Sequence, residues 1–467
     1  MSFPRYAEYK DSGIEWLDEV PAHWVLKRVR HLLRDGYDGL KIGPFGSQLT
    51  SDMLEEAGQF KVYGQENVIA DDFERGQRYI GEAKFEELSV YEIRPGDLLV
   101  TMMGTSGRCG VAPEGLPQGI MDSHLLRMRV NESVLALFVR MLIDEAAYVS
   151  HQVKVAGKGS IMHGLNSGIV RDLLIALPSR PEQELILGFL DRETAKIDAL
   201  VAEQEKLIAL LKEKRQAVIS HAVTKGLDAE APMKDSGIEW LGEVPAHWEI
   251  GRIKTYLSTT SGATPNTSQQ ELYYADEDGG IPWVRTTDLQ NDVLRSVDIF
   301  ITQKALTDTA CSILPPGTVM VAMYGGDGTV GKNGLLAIPA AINQAVCALL
   351  PSPTHNAEFV WRFMQFYRPH WMIGAESSRK DPNISQERVR NAPLPKPPRK
   401  EQDAIVEFLA RELRLFDELM AEAHHAIGLL RERRSSLISV AVTGKIDVRS
   451  IASQPAQGLQ ELAGTPA

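Results

Sequence analysis

The chain has 467 residues, too many for one hydrophobic core, so roughly two to four domains are expected. With 43% hydrophobic and 24% charged residues it is ordinary globular material, and no run of about 18 apolar residues offers a membrane span. A formal net charge of −12 counts against a plain nucleic-acid binder, which would need its Lys and Arg gathered on one face.

The start, MSFPRYAEYKDSG, lacks the basic and apolar regions of a signal peptide, which predicts a cytoplasmic protein. Residues 10–24 read KDSGIEWLDEVPAHW and residues 234–248 read KDSGIEWLGEVPAHW, differing only at Asp18 against Gly242, with an offset of 224 (234 − 10). This is an internal repeat. Trp16, Trp24, Trp240 and Trp248 are expected to anchor the two copies against long helices further along the chain. The block after the first copy, about 25–177, has the punctuation of a mixed domain. GPFGS (43–47) is a turn-rich loop, EIRPGDLLVTMMGT (92–105) is a turn entering a buried strand, and SVLALFVRMLIDEAAYVSHQV (133–153) carries helical spacing.

From Pro181 to Gly226 the spacing predicts one uninterrupted helix. Pro181 suits a first turn that needs no amide donor, Glu182 and Glu184 lie near the positive end of the helix dipole, and Gly226 ends the helix. Leu190, Ile197, Leu211 and Val218 share a seven-residue register, with Leu200 and Leu207 in the partner positions of a coiled-coil seam. A rod of roughly 70 Å with one apolar stripe needs a partner. The chain supplies it from Lys400 to Lys445. Glu182-Gln183 falls on Glu401-Gln402, an offset of 219 (401 − 182), and the second copy keeps a seam of Leu409, Phe416, Leu419, Leu430 and Leu437. Basic clusters close both rods, Lys212, Lys214 and Arg215 in one and Arg431, Arg433 and Arg434 in the other.

The second block, about 249–393, follows the plan of the first with different letters. ILPPGTVMVAMYGG (313–326) matches the turn and strand, and AEFVWRFMQFY (357–367) matches the helix. Catalytic signals are absent. GDGTVGKN (326–333) is one residue short of a phosphate-binding loop, carries Asn333 where Ser or Thr would hold magnesium, and runs into a strand-like stretch broken by Pro339. GTSG (104–107) is too short for a dinucleotide fingerprint, His424-His425 lacks a second pair of metal ligands, and no nucleophile elbow or base-flipping proline-aromatic loop occurs. Cys109, Cys311 and Cys347 are odd in number and isolated, so small buried residues and no disulfide are expected.

The order of these motifs resembles the specificity subunit of a type I restriction-modification system. The resemblance rests on the duplicated GIEWL and VPAHW segment, on GPFGSQL (43–49), PGDLLVTMMGTSGRCG (95–110), GATPNTS (262–268), WVRTTDL (283–289), ITQKAL (301–306) and INQA (342–345), and on the two LPxxPxxEQ leads into the rods. It implies an α+β fold of two mixed α/β target recognition domains in tandem. Each is followed by a long helix, and the two helices pair as an antiparallel coiled coil with a pseudo-twofold internal repeat. The divisions are 1–178 and 227–398 for the recognition domains, 179–226 and 399–446 for the helices, and a disordered tail at 447–467.

The resemblance further implies a chain that is not itself an enzyme and binds no cofactor or metal. It would read a bipartite site on double-stranded DNA, one half with each domain. Two modification subunits, methyltransferases using S-adenosylmethionine on adenine, would dock on the helices. Restriction subunits translocating DNA with ATP and magnesium would join them. Base edges are read best by Arg, Asn and Gln. The candidate contacts are Ser47, Gln48, Tyr63, Gln65, Asn67, Arg108, His124, Lys158 and Ser160 in the first block. In the second they are Thr264, Asn266, Arg285, Thr286, Lys332, Asn343, Gln344, Arg379 and Lys380. His124 and Gln344 also suit a purely structural role beside apolar strands. The rival is a coiled-coil adaptor whose blocks bind proteins, a reading that the acidity favours.

Overall fold

In the computed structural model the described residues are 3–452, apart from 15, 37, 106, 158–164, 327 and 372–382. Two compact units emerge, Met1–Glu203 with His425–Ala467, and Gln204–His424. Their boundaries fall inside the long helices, so each rod gives part of its length to each unit.

Unit 1 opens on a hairpin in which Tyr9–Asp11 pairs antiparallel with Glu19–Pro21. Its turn needs a left-handed residue, supplied by Asp18 at φ 56 and, in the second copy of the motif, by Gly242 at φ 65. Asp tolerates that conformation better than most residues, so the one difference between the two copies changes nothing in the backbone. The strand Val25–Arg28 then pairs with Leu174–Leu177, which leads into the first rod. Between them lie two sheets. One is antiparallel and ordered Leu40–Ile42, Leu125–Met128, Leu98–Thr101, Cys109–Val111. The other is ordered Tyr79–Ile80, Phe60–Tyr63, Gly119–Met121, Glu92–Ile93, with Phe60–Tyr63 and Gly119–Met121 parallel. Leu98–Thr101 is buried throughout, as its unbroken apolar run requires, and the Pro95-Gly96 turn ahead of it places Gly96 at φ 83. The apolar stretch at 133–153 forms two helices, Ala136–Glu145 and Ala147–Gly157, separated where Ala146 turns extended.

Unit 2 repeats the plan. Met233–Asp235 pairs with Glu243–Pro245, and Glu249–Arg252 with Pro393–Lys396. A five-stranded sheet runs Thr259–Ser261, Val346–Leu349, Val319–Ala322, Asn333–Leu336, Asp292–Leu294, and a second runs Tyr274–Ala275, Phe300–Ile301, Ile281–Val284, Ala341–Ile342. The phosphate-loop look-alike enters the strand Asn333–Leu336, with Asn333 fully buried, so no helix N-terminus stands there. Ala357–Tyr367 is a helix capped by the Asn356 side chain, which accepts from Glu358 N at 2.9 Å. Burial pushes the nearby His355 imidazole down to about 4. Its neutral form is therefore the native one. The stability this adds is fully present above the ordinary histidine value and is lost as pH falls through about 4. Denaturant titrations between pH 7 and 4 should show wild type losing more stability than His355→Asn.

The rods are helices of 46 residues, Arg180–Lys225, and 44 residues, Arg399–Val442. In unit 1 their segments run antiparallel. Glu182 accepts from Trp24 Nε1 at 3.1 Å while Gly444 lies against the same indole, and Asp198 meets Arg434 Nε at 3.0 Å. In unit 2 the same holds: Gly226 adjoins Glu401 and Trp248, and Arg215 meets Asp417 at 3.4 Å. The repeat offset of 219 carries Asp198 onto Asp417 and Arg215 onto Arg434, so the two ion pairs are one contact made twice with the roles of the two rods exchanged.

Leu190, Ile197, Leu211, Leu409, Phe416 and Leu437 are buried, and Val218 and Leu430 are partly buried. The partner positions differ from expectation. Leu200, Leu207 and Leu419 are exposed, at 52%, 42% and 47%. The stripe passes instead through Thr194, Val201, Ile208, Leu413, Met420 and Ile427, each four residues after a position of the seam's seven-residue register rather than three. Both spacings lie within about 60° of the seam on a helix turning 100° per residue, and Leu200 stands beside Val201 as Leu207 stands beside Ile208. Periodicity could not choose between them.

The tail expected to be disordered from 447 is ordered at its start. Val448 is fully buried, Asp447 N donates to Pro4 O at 2.7 Å, and Arg449–Ala452 is helical. Residues 453–467 lie outside the described residues. The three cysteines are free and buried, and no helix among the described residues is long and apolar enough to cross a membrane.

Candidate nucleic-acid interface

The four tryptophans of the repeated motif have two jobs. Trp24 and Trp248 are fully buried and donate from Nε1 to Glu182 (3.1 Å) and Glu401 (3.0 Å), while His23 and His247 reach the same carboxylates at 2.9 and 2.8 Å. These two anchor the motif to the rods. Trp16 and Trp240 do not. They stack on His151 and His370 of the blocks, at 3.9 and 4.5 Å between ring centroids.

Each block gathers four loops at one end of its sheets. In unit 1, Gly43 approaches the 122–124 turn so closely that a Cβ would stand 1.8 Å from Asp122 O, which is why the first loop begins with glycine. The parallel pairing of Phe60–Tyr63 with Gly119–Met121 then sets the 64–67 turn beside Asp122, whose amide donates to Tyr63 O at 2.8 Å. The hairpin loop after Leu98–Thr101 joins through Met102 N, which donates to His124 O at 2.9 Å. Unit 2 makes the same contacts: a Cβ on Gly262 would lie 1.6 Å from Ile342 O, Asn343 N donates to Val284 O at 2.9 Å, and Met323 N to Ala345 O at 2.8 Å.

This end carries many of the nominated side chains. Ser47 and Gln48 form an exposed turn in which Gln48 Oε1 accepts from Phe45 N at 3.1 Å, and Phe45 itself projects with 70% exposure. Gln65 opens a short helix at the second loop, and His124 is exposed beside Asp122. Arg108 and Lys332 occupy matching hairpin positions, since Thr101 N donates to Arg108 O (2.9 Å) and Ala322 N to Lys332 O (2.8 Å). In unit 2, Thr264 donates to Gln344, Asn266 caps its own turn through Ser268 N at 3.0 Å, and Arg285 meets Asp288 at 3.2 Å with Thr286 next to it. Asn343 is half-buried, its side chain accepting from Ala345 N at 3.1 Å.

Two nominations are corrected. Tyr63 is fully buried and its hydroxyl donates to Pro117 O at 2.6 Å. Asn67 is fully buried with its amide spent on Asp72 O and Arg75 O and its carbonyl on Gly64 N. Both are buried, where a polar side chain is stable only with its hydrogen bonds satisfied within the protein, which leaves nothing for DNA. Lys158, Ser160, Arg379 and Lys380 lie outside the described residues. Sequence reading missed Arg78, Asp122 and Phe45, which stand among the loops. No short motif contains all three, and the two blocks share too few letters to align them.

Comparison with known proteins places this geometry. Residues 245–427 match the family "Type I restriction modification DNA specificity domain". The EcoDI specificity subunit of Escherichia coli is 23% identical over 307 residues, 64% of this chain and 68% of that protein, and the EcoBI specificity subunit of Escherichia coli is 23% identical over 312 residues, 62% of each. Among solved structures, a chain from a study of complex assembly and conformational transition of the type I R-M system aligns with a TM-score of 0.61 at 18% identity, covering 91% of this chain and 98% of its own. The HsdS subunit from Thermoanaerobacter tengcongensis aligns with a TM-score of 0.50 at 15% identity over the same shares. Residues 245–427 are thus a type I restriction modification DNA specificity domain, and the chain as a whole has the relatives and the fold of a type I restriction-modification specificity subunit.

Proposed function

We propose that the chain is the DNA sequence-specificity subunit of a type I restriction-modification complex, each unit reading one half of a bipartite target. The observation that supports this best is the duplicated loop cluster. The same backbone is built twice, yet the side chains it presents differ, as two readers of different half-sites need. The chain performs no chemistry in this reading. Two modification subunits dock on the helical rods and methylate adenine with S-adenosylmethionine, and restriction subunits joined through them use ATP and magnesium.

Co-expression of the full chain with its modification subunit, followed by mapping of methylated adenines, tests this directly. A split consensus is expected. Methylation without sequence preference would leave the adaptor reading in its place. Arg285→Ala should cost about 1 to 3 kcal/mol at one target position and relax the consensus there. Tyr63→Phe, by contrast, should leave the target sequence unaltered, because its hydroxyl is turned inward.

A further inference from the structure

Both units build the same corner between the second and third loops, but each supplies its arginine from a different place in the chain. Hydrogen bonds fix the correspondence. Gly64 N donates to Asn67 Oδ1 at 2.9 Å, as Arg285 N does to Asp288 Oδ2 at 2.8 Å, so Gly64 and Arg285 hold equivalent positions. On the neighbouring segment, Val62 N donates to Arg78 O at 2.8 Å and Trp283 N to Ile299 O at 3.0 Å, which makes Ile299 the equivalent of Arg78. Unit 1 therefore has glycine and arginine where unit 2 has arginine and isoleucine. The exchange is reciprocal in space too. A Cβ on Gly64 would stand 1.9 Å from Arg78 Nη2, so the guanidinium of Arg78 fills the space where a side chain like that of Arg285 would leave the backbone. Each unit keeps one arginine in this corner.

We propose that Arg78 is the base-reading arginine of unit 1, the counterpart of Arg285. The proposal rests on the DNA-reading function above. Both side chains are partly exposed, at 31% and 32%, and both are held by carboxylates: Arg78 by Asp122 at 3.2 Å and by Glu66, Arg285 by Asp288 at 3.2 Å. The carboxylates do two things. They fix the plane of a guanidinium that has five N–H donors, more than the carboxylates use, and a planar set of such donors suits guanine O6 and N7. They also set negative charge beside the arginine, which disfavours a phosphate there and favours the uncharged edge of a base. A solvated surface ion pair would explain Arg78 alone, but it would not explain why unit 2 replaces the arginine at a different position of the same corner.

The test uses the full chain assembled with its modification subunit, with methylated adenines mapped for wild type, Arg78→Ala, Arg78→Lys and Arg285→Ala. Arg78→Ala should lower discrimination about 5- to 150-fold at one position of one half-site and leave the other half-site unchanged, while Arg285→Ala alters the other half-site. Arg78→Lys keeps the charge beside Asp122 but lacks the planar fork, so it should lose discrimination while retaining the thermal stability of wild type. That variant keeps the test open if Arg78→Ala folds poorly. An unaltered target with either variant, a uniform loss over all sequences, or a change in the half-site that Arg285→Ala affects would overturn the proposal. A wild-type complex without sequence preference would overturn the underlying DNA reading as well.

Discussion

Ile208→Asp is expected to destabilise the protein by about 3 to 5 kcal/mol, whereas Leu207→Asp, one residue earlier on the same helix, should cost less than about 1 kcal/mol. Ile208 is only 6% exposed, and aspartate there puts an unpaired carboxylate into the seam or forces it to protonate. Leu207 is 42% exposed, so its replacement meets water and costs little beyond helix propensity. The usual expectation for two adjacent leucine-like residues in a coiled coil would be similar losses. Chemical denaturation followed by helical circular dichroism decides it, and equal losses, or the larger loss at Leu207, would place the seam in the other register.

Gln183→Leu should cost about 2 to 5 kcal/mol despite its nearly equal volume. Gln183 is fully buried, accepts from Leu135 N at 2.8 Å, and donates to Ser133 O and Pro178 O at 3.1 Å each. Leucine leaves a backbone donor and two acceptors buried, and an orphaned group costs about 1 to 3 kcal/mol. Gln402→Leu should behave alike, since Gln402 accepts from Asn356 N at 2.7 Å and donates to Thr354 O and Pro397 O at 3.1 and 2.9 Å. Gln216→Leu on the exposed face of the first rod is the control and should change stability by under about 0.5 kcal/mol. If Gln183→Leu matched this control, the hydrogen bonds would be shown not to hold the block to its rod.

These residues also explain the two Glu-Gln pairs that lead into the rods. Glutamate binds the Trp and His of the repeated motif, and glutamine binds the cap of the block's own helix. For Glu182 the position beside the helix start suggested only a favourable interaction with the dipole. The partners of both pairs in the repeated motif and at the helix caps lie 46 to 159 residues away and could not be inferred locally.

The sequence by itself determined the tandem plan, the two rods, the paired turns and strands, and the absence of a phosphate-binding helix at 326–333. Each of these is written in local periodicity, in turn chemistry or in letters repeated nearly unchanged. Only tertiary structure decided which flank of each rod is buried, because positions three and four residues on lie about 60° and 40° to either side of the seam, both near enough to join it until a neighbour covers one of them. It also decided which polar side chains face outward. Tyr63 and Asn67 had the right chemistry for DNA but are turned into the core, while Arg78 reaches the loop cluster from a segment that carries no motif. Side-chain direction at a loop depends on which strands pair and in what register, and that pairing is set between segments far apart in the chain.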